Sequence, residues 1–393
     1  MPSLALAERL RHVEASPTLA LAAKAKALAK AGQRILDFTA GEPDFPTPEH
    51  IKQAAIQAIR DNQTKYTPVA GIPELRAAVA ATVNRTRGTS YQPAQTLVTC
   101  GTKHALFNAF QALCQPGDEV IVPAPYWVSF PPLVHLAGAK PVVVETREED
   151  GFLPDPQAVR AALTDATKAI IVNSPSNPTG AVIDEGRLKA IARLAVERDL
   201  VVVSDEIYDE LVYPPARHVS IVQAAPEVRE RAVILGGVSK SYSMTGWRIG
   251  WAAGPQPWIE AMANIQSHST SNPASISQHA ALAALTGDQA PVAAMRNEFQ
   301  ERRDRLVQGL NRLAPLRCAL PGGAFYAWVN VQGLGQSAEA VASQWLEDLL
   351  IAVVPGEGFG ATGFVRMSFA TSLDTIDEAL ARLKAWLAKR GTR

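Results

Sequence analysis

The sequence feature that most limits the fold is an alternation of short apolar runs with longer alanine-rich stretches between residues 49 and 203. The runs TLVTC, EVIVP, KPVVVE, AIIVN and LVVVS contain consecutive apolar residues, which is typical of strands covered on both faces. The stretches His104–Cys114 and Gly186–Arg198 have helical composition. This pattern predicts an α/β fold with a mostly parallel sheet sandwiched by helices. Ligands bind such sheets at the carboxyl ends of the strands.

The remainder of the chain predicts a second, smaller α+β unit. The alternation continues through AVILGGVSK and RIGWAAG and then gives way to a charged helix, the strands of PGGAFYAWVN and GFVRMSFAT, and a terminal amphipathic helix. We therefore expect a large domain over residues 42–290 and a small domain formed by both chain ends, residues 1–41 and 291–393.

Composition excludes several classes of protein. The chain has 393 residues, of which 47% are hydrophobic and 19% charged, as in a globular protein of about two domains. Lys plus Arg and Asp plus Glu both total 38, so no overall positive charge attracts nucleic acid or an anionic membrane. No apolar run approaches the roughly 18 residues of a membrane span, and no signal peptide is visible. The three cysteines lack CxxC spacing. We expect a cytoplasmic protein.

A lysine among small residues follows one of the predicted strands. Lys240 lies in GVSK, and Arg248 follows it in GWRIG. A lysine in such a place can be desolvated and closely approached, which suits a lysine that forms a Schiff base. The Ser239 hydroxyl and the Arg248 guanidinium could then bind a phosphate. Taken alone, Lys240 is also compatible with an ordinary solvated lysine.

Polar residues also follow two other apolar runs. Asp205 comes directly after LVVVS, where a carboxylate is unfavourable unless it meets a cation such as a protonated pyridine nitrogen. It could equally be a helix N-cap. Asn177 lies in NSPSNPTG, after AIIVN, and its amide suits a phenolic oxygen. The prolyl turn could also be no more than a stiff loop.

A glycine turn opens the helix after TLVTC. Gly101 and Thr102 stand where small residues at a helix N-terminus leave backbone N–H groups free to bind a phosphate. Each feature alone is weak evidence. Their occurrence together, each at a strand end, favours one shared ligand site over separate structural roles. No histidine shows metal-ligand spacing such as HExxH, so no metal is expected.

Over essentially its whole length the sequence resembles the pyridoxal-phosphate-dependent aminotransferases of fold type I, class I/II, and within them the bacterial aspartate aminotransferase branch. GVSKSYSMTGWRIG fits the lysine signature of that class, and SDEIY, NSPSNPTG, APYW, AGEPDF and KYTPVAGIPELR have counterparts in the same order. The resemblance implies a fold type I transferase that binds pyridoxal 5'-phosphate and acts on small amino acid and 2-oxo acid substrates.

The resemblance also implies a role for each matched position. Lys240 would bind the cofactor covalently and move a proton between substrate and cofactor, and Asp205 would keep the pyridine nitrogen protonated. Asn177 and Tyr208 would hydrogen-bond the phenolic oxygen, and Trp127 would stack on the ring; Trp127 and Asn177 would also contact substrate. The positions that match phosphate contacts are Gly101, Thr102, Ser239, Arg248 and Tyr66. The last of these would come from a neighbouring subunit, which implies a homodimer with shared active sites.

Arg366, in GFVRMSFA, matches the arginine that binds the substrate α-carboxylate, with Gly41 of AGEPDF beside it. The residues alone lead to a related expectation. Arg366 interrupts an apolar strand, so it lies either on a solvated face or buried against an anion. A carboxylate that accepts two hydrogen bonds is the partner that a guanidinium fits best.

Two further positions bear on the choice of substrate. The counterpart of Lys103 in the resembling aspartate enzymes reaches the distal carboxylate of the substrate, and a cation in the first turn of a helix is otherwise slightly unfavourable. Thr18 stands where the branch that also transaminates prephenate carries a threonine. It could equally be the N-cap of a helix beginning near Leu19.

We therefore expect an aminotransferase that transfers the amino group between L-aspartate and 2-oxoglutarate in a ping-pong cycle. A bifunctional aspartate/prephenate enzyme is the first alternative, and aminotransferases for alanine, aromatic or branched substrates differ only in their side-chain pockets. A carbon–sulfur β-lyase of the same cofactor class remains open. A transcription regulator built on this fold would need a basic DNA-binding segment, and none precedes the family-like pattern that begins near residue 14.

Overall fold

The computed structural model describes residues 32–390, together with Ala7, Leu10, Arg11, Val13, Ala27 and Lys30. Thr18 lies outside the described residues, so its proposed part in substrate choice remains a prediction from the sequence. The helices in this part of the chain are α1 Glu49–Arg60, α2 Pro73–Arg87, α3 Thr102–Leu113, α4 Phe130–Leu136, α5 Pro156–Ala162, α6 Glu185–Glu197, α7 Ile221–Ala224, α8 Gln256–Ser267, α9 Ser275–Thr286, α10 Ala290–Asn311, α11 Ala338–Leu349 and α12 Leu373–Arg390.

Strands between residues 96 and 253 form one large sheet. They are β2 Thr96–Thr99, β3 Glu119–Ala124, β4 Lys140–Glu145, β5 Thr167–Asn173, β6 Val201–Asp205, β7 Ala232–Gly237 and β8 Gly250–Ala253. The first strand in the described part of the chain, β1 Leu36–Asp37, does not belong to this sheet. Their order is β2-β8-β7-β6-β5-β3-β4. Neighbouring strands run parallel except where β8 pairs with β2 and β7. The predicted mostly parallel sheet is confirmed.

Helices cover both faces of this sheet, as the consecutive apolar residues predicted. Val201 and Val203 of β6 belong to the same buried cluster as Leu106 of α3 and Met262 of α8. Val202, between them, points to the opposite face and belongs to the cluster that contains Leu188 of α6. Full burial of one such side chain stabilises the fold by about 1.5–3 kcal/mol. The central strands therefore leave only their ends available for a site.

The remaining strands form two small sheets. They are β9 Arg317–Cys318, β10 Tyr326–Asn330, β11 Ile351–Ala352, β12 Val354–Pro355 and β13 Phe364–Ser368. An antiparallel sheet has the order β12-β13-β10-β9, and β1 pairs in parallel with β11. The N-terminal strand thus joins the C-terminal part of the chain. This pairing is consistent with the division into residues 42–290 and residues 1–41 with 291–393, which we retain as a proposal.

Among the described residues, no helix combines the length and apolarity that crossing a membrane would require.

Candidate active site

A cavity of about 530 Å³ lies at the carboxyl ends of β5 and β6, beside the N-terminus of α3. Eleven of the residues singled out from the sequence line it: Gly41, Thr102, Lys103, Trp127, Asn177, Asp205, Tyr208, Ser239, Lys240, Arg248 and Arg366. The parallel topology explains this convergence, because it brings the ends of neighbouring strands to one edge of the sheet.

Lys240 stands in the loop after β7 and is half-buried. Its Nζ donates a hydrogen bond to the carbonyl oxygen of Gly41 at 2.5 Å. Burial lowers the pKa of Lys240 to about 8, although the nearby Glu42 carboxylate acts in the opposite direction. An amine with such a pKa is substantially neutral just above neutral pH, which a nucleophile or a general base requires.

Asp205 is buried at the end of β6. Its carboxylate accepts a hydrogen bond from Ile207 N–H at 3.3 Å and is paired with no cation among residues 32–390. No helix begins here, since the next one starts at Ile221, so the alternative of a helix N-cap is wrong. Burial raises the pKa of Asp205 to about 7. A cationic ligand group at this strand end would hold the carboxylate ionised.

A buried ion-pair network that was not predicted from the sequence holds Glu206, the residue after Asp205. Arg87 of α2 donates to Glu206 at 3.0 Å and to Asp209 at 2.5 Å. Ser204 and Ser220 both donate their hydroxyl protons to the Glu206 carboxylate. Burial alone would raise the pKa of Glu206, but Arg87 and the other donors outweigh it and lower the pKa to about 2. The network fixes the turn that carries Asp205.

Arg366 is only 3% exposed on β13, so a solvated position is excluded. Its Nη1 donates to Asn177 Oδ1 and its Nη2 to the carbonyl oxygen of Thr39, both at 3.0 Å. Its buried Nε has no hydrogen-bond partner within the described part of the chain. A buried guanidinium with an unsatisfied donor at a cavity wall suits an anionic ligand.

Tyr208, three residues after Asp205, also lines the cavity and is equally buried. Burial raises its pKa well above the usual value for tyrosine. Its hydroxyl group is 2.9 Å from that of Tyr326, a cavity residue that the sequence analysis did not single out. The available signal was a tyrosine within the apolar strand FYAWV, but tyrosines are common in strands and this one carried no motif.

Glycines and Arg248 shape the other end of the cavity. Gly101 has a φ of +86°, which favours glycine, and a Cβ at this position would force the Arg248 guanidinium to move. Arg248 Nη1 donates to Thr245 O at 2.9 Å. Thr102 donates its hydroxyl proton to Gly236 O at 2.7 Å. Thr102 would therefore bind a phosphate through its backbone N–H at the helix N-terminus rather than through its hydroxyl proton.

Lys103 and Trp127 also line the cavity that contains Arg248 and Lys240. Lys103 lies in the first turn of α3, as predicted, and its Nζ is 4.7 Å from the centre of the Trp127 ring. Burial, with a contribution from Arg248, lowers the pKa of Lys103. Lys103 is exposed at the edge of the cavity, and its amine lies beside the Trp127 ring.

Tyr66 is the described candidate that lies away from the cavity. It stands between α1 and α2 with 91% of its surface exposed. Within this chain it takes no part in the cavity lining. No group of three or more His, Cys, Asp or Glu side chains suited to a metal ion occurs in the described ranges.

An α/β fold with a lysine of lowered pKa, a buried carboxylate and three further cationic side chains around one cavity suits group transfer on an anionic ligand. Comparison with known proteins agrees with this class. The family of class I and II aminotransferases matches residues 33–383. The chain is 46% identical to an aspartate aminotransferase of Bacillus subtilis, covering 98% of this chain and 99% of the relative.

Two further relatives come from Thermus thermophilus. An aspartate/prephenate aminotransferase is 47% identical over 98% of this chain and 99% of its own length. An aspartate aminotransferase solved with maleate superposes with a TM-score of 0.94 at 47% identity, covering 97% of this chain and 99% of the other. The chain therefore belongs to the class I and II aminotransferase family.

Proposed function

We propose that this aminotransferase transfers the amino group of L-aspartate to 2-oxoglutarate, giving oxaloacetate and L-glutamate. The observation that carries the proposal is the presence of two cationic side chains, Arg366 and Lys103, in the cavity that contains Lys240. Two cations can bind both carboxylates of a dicarboxylic amino acid. The relatives named for aspartate and the related structure solved with maleate, a dicarboxylate, support this substrate class.

The residues present fit pyridoxal 5'-phosphate as the cofactor. The carboxylate of Asp205 has no cationic partner in residues 32–390 and could bind a protonated ring nitrogen. Gly101 leaves the space in which Arg248 reaches the N-terminus of α3, and these groups with Ser239 could bind a phosphate. When bound, the cofactor supplies an electron sink that stabilises negative charge at the substrate Cα. Asn177 and Tyr208 would bind its phenolic oxygen, and Trp127 would stack on its ring.

The chain's own residues supply binding and proton transfer. Arg366 binds and orients the α-carboxylate, which every amino acid substrate carries, with Gly41 beside it. Lys103 binds the distal carboxylate of the dicarboxylic substrates. Lys240 would hold the cofactor through its amine, and the same amine, once released, would accept the proton that leaves the substrate Cα. Its pKa of about 8 allows it to act as this base near neutral pH.

The site is proposed to be completed by a second copy of the chain. In the single chain, 91% of the Tyr66 surface is exposed to solvent. Such exposure is expected of a residue that contacts the phosphate of a neighbouring subunit. We therefore propose a homodimer with shared active sites. The even balance of charge and the lack of a membrane-spanning helix in the described residues are consistent with a cytoplasmic enzyme.

Prephenate is a second candidate substrate. Relatives from Thermus thermophilus and Nitrosomonas europaea, 47% and 44% identical to this chain, are named aspartate/prephenate aminotransferases. Prephenate carries two carboxylates, so the same two cations could bind it.

A panel of amino donors tests the proposal. Purified protein loaded with pyridoxal phosphate is assayed with 2-oxoglutarate and each of aspartate, alanine, phenylalanine and arogenate, the transamination product of prephenate. Aspartate should give the highest kcat/KM. A higher value for alanine or phenylalanine would contradict the proposed substrate. Repeated turnover of a cysteine thioether to pyruvate, ammonia and a thiol, without an oxo acid acceptor, would indicate a β-lyase. The Lys240→Ala variant, shown to be folded by circular dichroism, should have no turnover.

A further inference from the structure

Tyr326 stands in the cavity wall between residues proposed to bind the cofactor and the residue proposed to bind substrate. We propose that Tyr326 is a positioning residue with two separable parts: its hydroxyl supports Tyr208, and its ring supports Arg366. The proposal rests on the proposed function, because Tyr208 and Arg366 take their roles from it.

The strand register explains why Tyr326 meets Arg366. In the antiparallel pair β10–β13, Tyr326 lies opposite Ser368, and Trp328 lies opposite Arg366. Tyr326 and Arg366 are therefore diagonal neighbours on the same face of the sheet. The centre of the guanidinium is 4.4 Å from the centre of the Tyr326 ring. This distance is that of a cation–π contact, and both groups are buried.

The ring limits the orientation of the guanidinium. Arg366 lies against the Tyr326 ring on one side and 5.1 Å from the ring of Phe359. Hydrogen bonds to Asn177 and to Thr39 fix two of its nitrogens. The Nε donor remains without a partner in the described part of the chain. The ring of Tyr326 thus restricts the orientation of the guanidinium plane of Arg366, to which a carboxylate would bind.

The hydroxyl of Tyr326 has a different partner. It lies 2.9 Å from the Tyr208 hydroxyl, and Tyr326 is only 1% exposed. If Tyr208 donates its proton to the phenolic oxygen of the cofactor, its own oxygen can accept the proton of Tyr326. Donation into a hydroxyl group strengthens the hydrogen bond that this group makes in turn. Tyr326 would therefore strengthen the hydrogen bond from Tyr208 to the phenolic oxygen without contacting the cofactor.

The chain offers a closely matched control in Tyr213. This tyrosine is also fully buried, lies in the same apolar cluster and donates its hydroxyl proton to a carbonyl oxygen, that of Ala324. An arginine, Arg303, lies 4.8 Å from the centre of its ring. Tyr213 does not line the cavity. Substitutions there reproduce the loss of a buried hydroxyl or ring close to the segment that carries Tyr326 but outside the cavity lining.

The experiment separates the two parts with two substitutions of the holoenzyme. Tyr326→Phe removes the hydroxyl and keeps the ring. We expect the midpoint pH of the visible absorption change of the bound cofactor to rise by about half a unit, because one neutral hydrogen bond is weakened. Binding of the unreactive dicarboxylate maleate, followed by the same absorption, should change less than about twofold, because the ring that contacts Arg366 remains.

Tyr326→Leu also removes the ring, and the dissociation constant of maleate should then rise about tenfold, as expected for loss of a buried cation–π contact. Tyr213→Phe and Tyr213→Leu should alter neither readout, although they lower the melting temperature. A wild-type midpoint in Tyr326→Phe, or wild-type maleate binding in Tyr326→Leu, overturns the proposal. Equal effects of the Tyr213 variants do the same, because they would reveal general loosening of the core. If the wild type develops no visible band with pyridoxal phosphate, the proposed function itself fails, and this proposal falls with it.

Discussion

Replacement of Arg366 should impair every amino acid substrate to the same degree. The guanidinium is buried and already held by Asn177 and Thr39, so it is preorganised to donate two hydrogen bonds to a carboxylate. Each charge-assisted hydrogen bond contributes about 1.5–3 kcal/mol. Loss of both hydrogen bonds in Arg366→Met should lower kcat/KM by roughly 10²–10⁴-fold. Arg366→Lys retains the charge but not the paired N–H donors of the guanidinium, so kcat/KM should fall by roughly 10–10²-fold.

The assay compares kcat/KM for aspartate and alanine, both with 2-oxoglutarate as acceptor. Because both donors carry an α-carboxylate, the two losses should agree within about threefold. Arg303→Met provides the control: Arg303 is equally buried and also lies against a tyrosine ring, but it does not line the cavity. Unequal losses for the two donors, or a comparable loss in the Arg303 variant, would refute the assignment of Arg366 to the α-carboxylate.

Three further predictions concern other parts of the cavity and its surroundings. Lys103→Ala should lower kcat/KM for aspartate by about 10–10²-fold but that for alanine by less than about threefold; equal losses would remove the basis for dicarboxylate specificity. Arg87→Met removes the guanidinium that pairs with the buried Glu206 and the half-buried Asp209 carboxylates, so urea denaturation should show a loss of about 3 kcal/mol; a change below about 1 kcal/mol would contradict the inferred network. In the apoprotein, the pKa of Lys240 is lowered from 10.5 to about 8. The unfolded chain therefore binds one more proton between these pH values, and stability rises with pH there by up to about 3 kcal/mol. At pH 7 the free energy of unfolding of Lys240→Met should exceed that of the wild type, and the difference should disappear by about pH 10.5. A difference that does not change with pH would show that desolvation of the Lys240 amine does not cause it.

The sequence was sufficient for the architecture and for much of the cavity. The consecutive valines of β6 predicted a strand covered on both faces, and the structure has helices on both. Parallel topology then required that Asn177, Asp205 and Lys240, which follow three different strands, should meet at one edge of the sheet. These predictions succeeded because they depend on local patterns and on a general rule of topology.

The features that the sequence did not predict depend on tertiary contacts. Arg87 and Glu206 are 119 positions apart, and neither their burial nor their pairing has a local signal. The contact between Tyr326 and Arg366 follows from the register of β10 against β13, which alternation alone does not set. The hydroxyl of Thr102 bonds to Gly236 because β7 approaches the N-terminus of α3. This contact changes how Thr102 could bind a phosphate, and only the structure reveals it.

The most direct test of the central claim is the visible spectrum of the protein loaded with pyridoxal phosphate, recorded while L-aspartate and then 2-oxoglutarate are added. We predict that aspartate abolishes the absorption band of the Lys240-bound cofactor and that 2-oxoglutarate restores it, because the amino group is left on the cofactor and then collected by the second substrate. A band that forms but does not respond to aspartate would contradict the proposed substrate. A protein that forms no band would contradict the role of Lys240 itself.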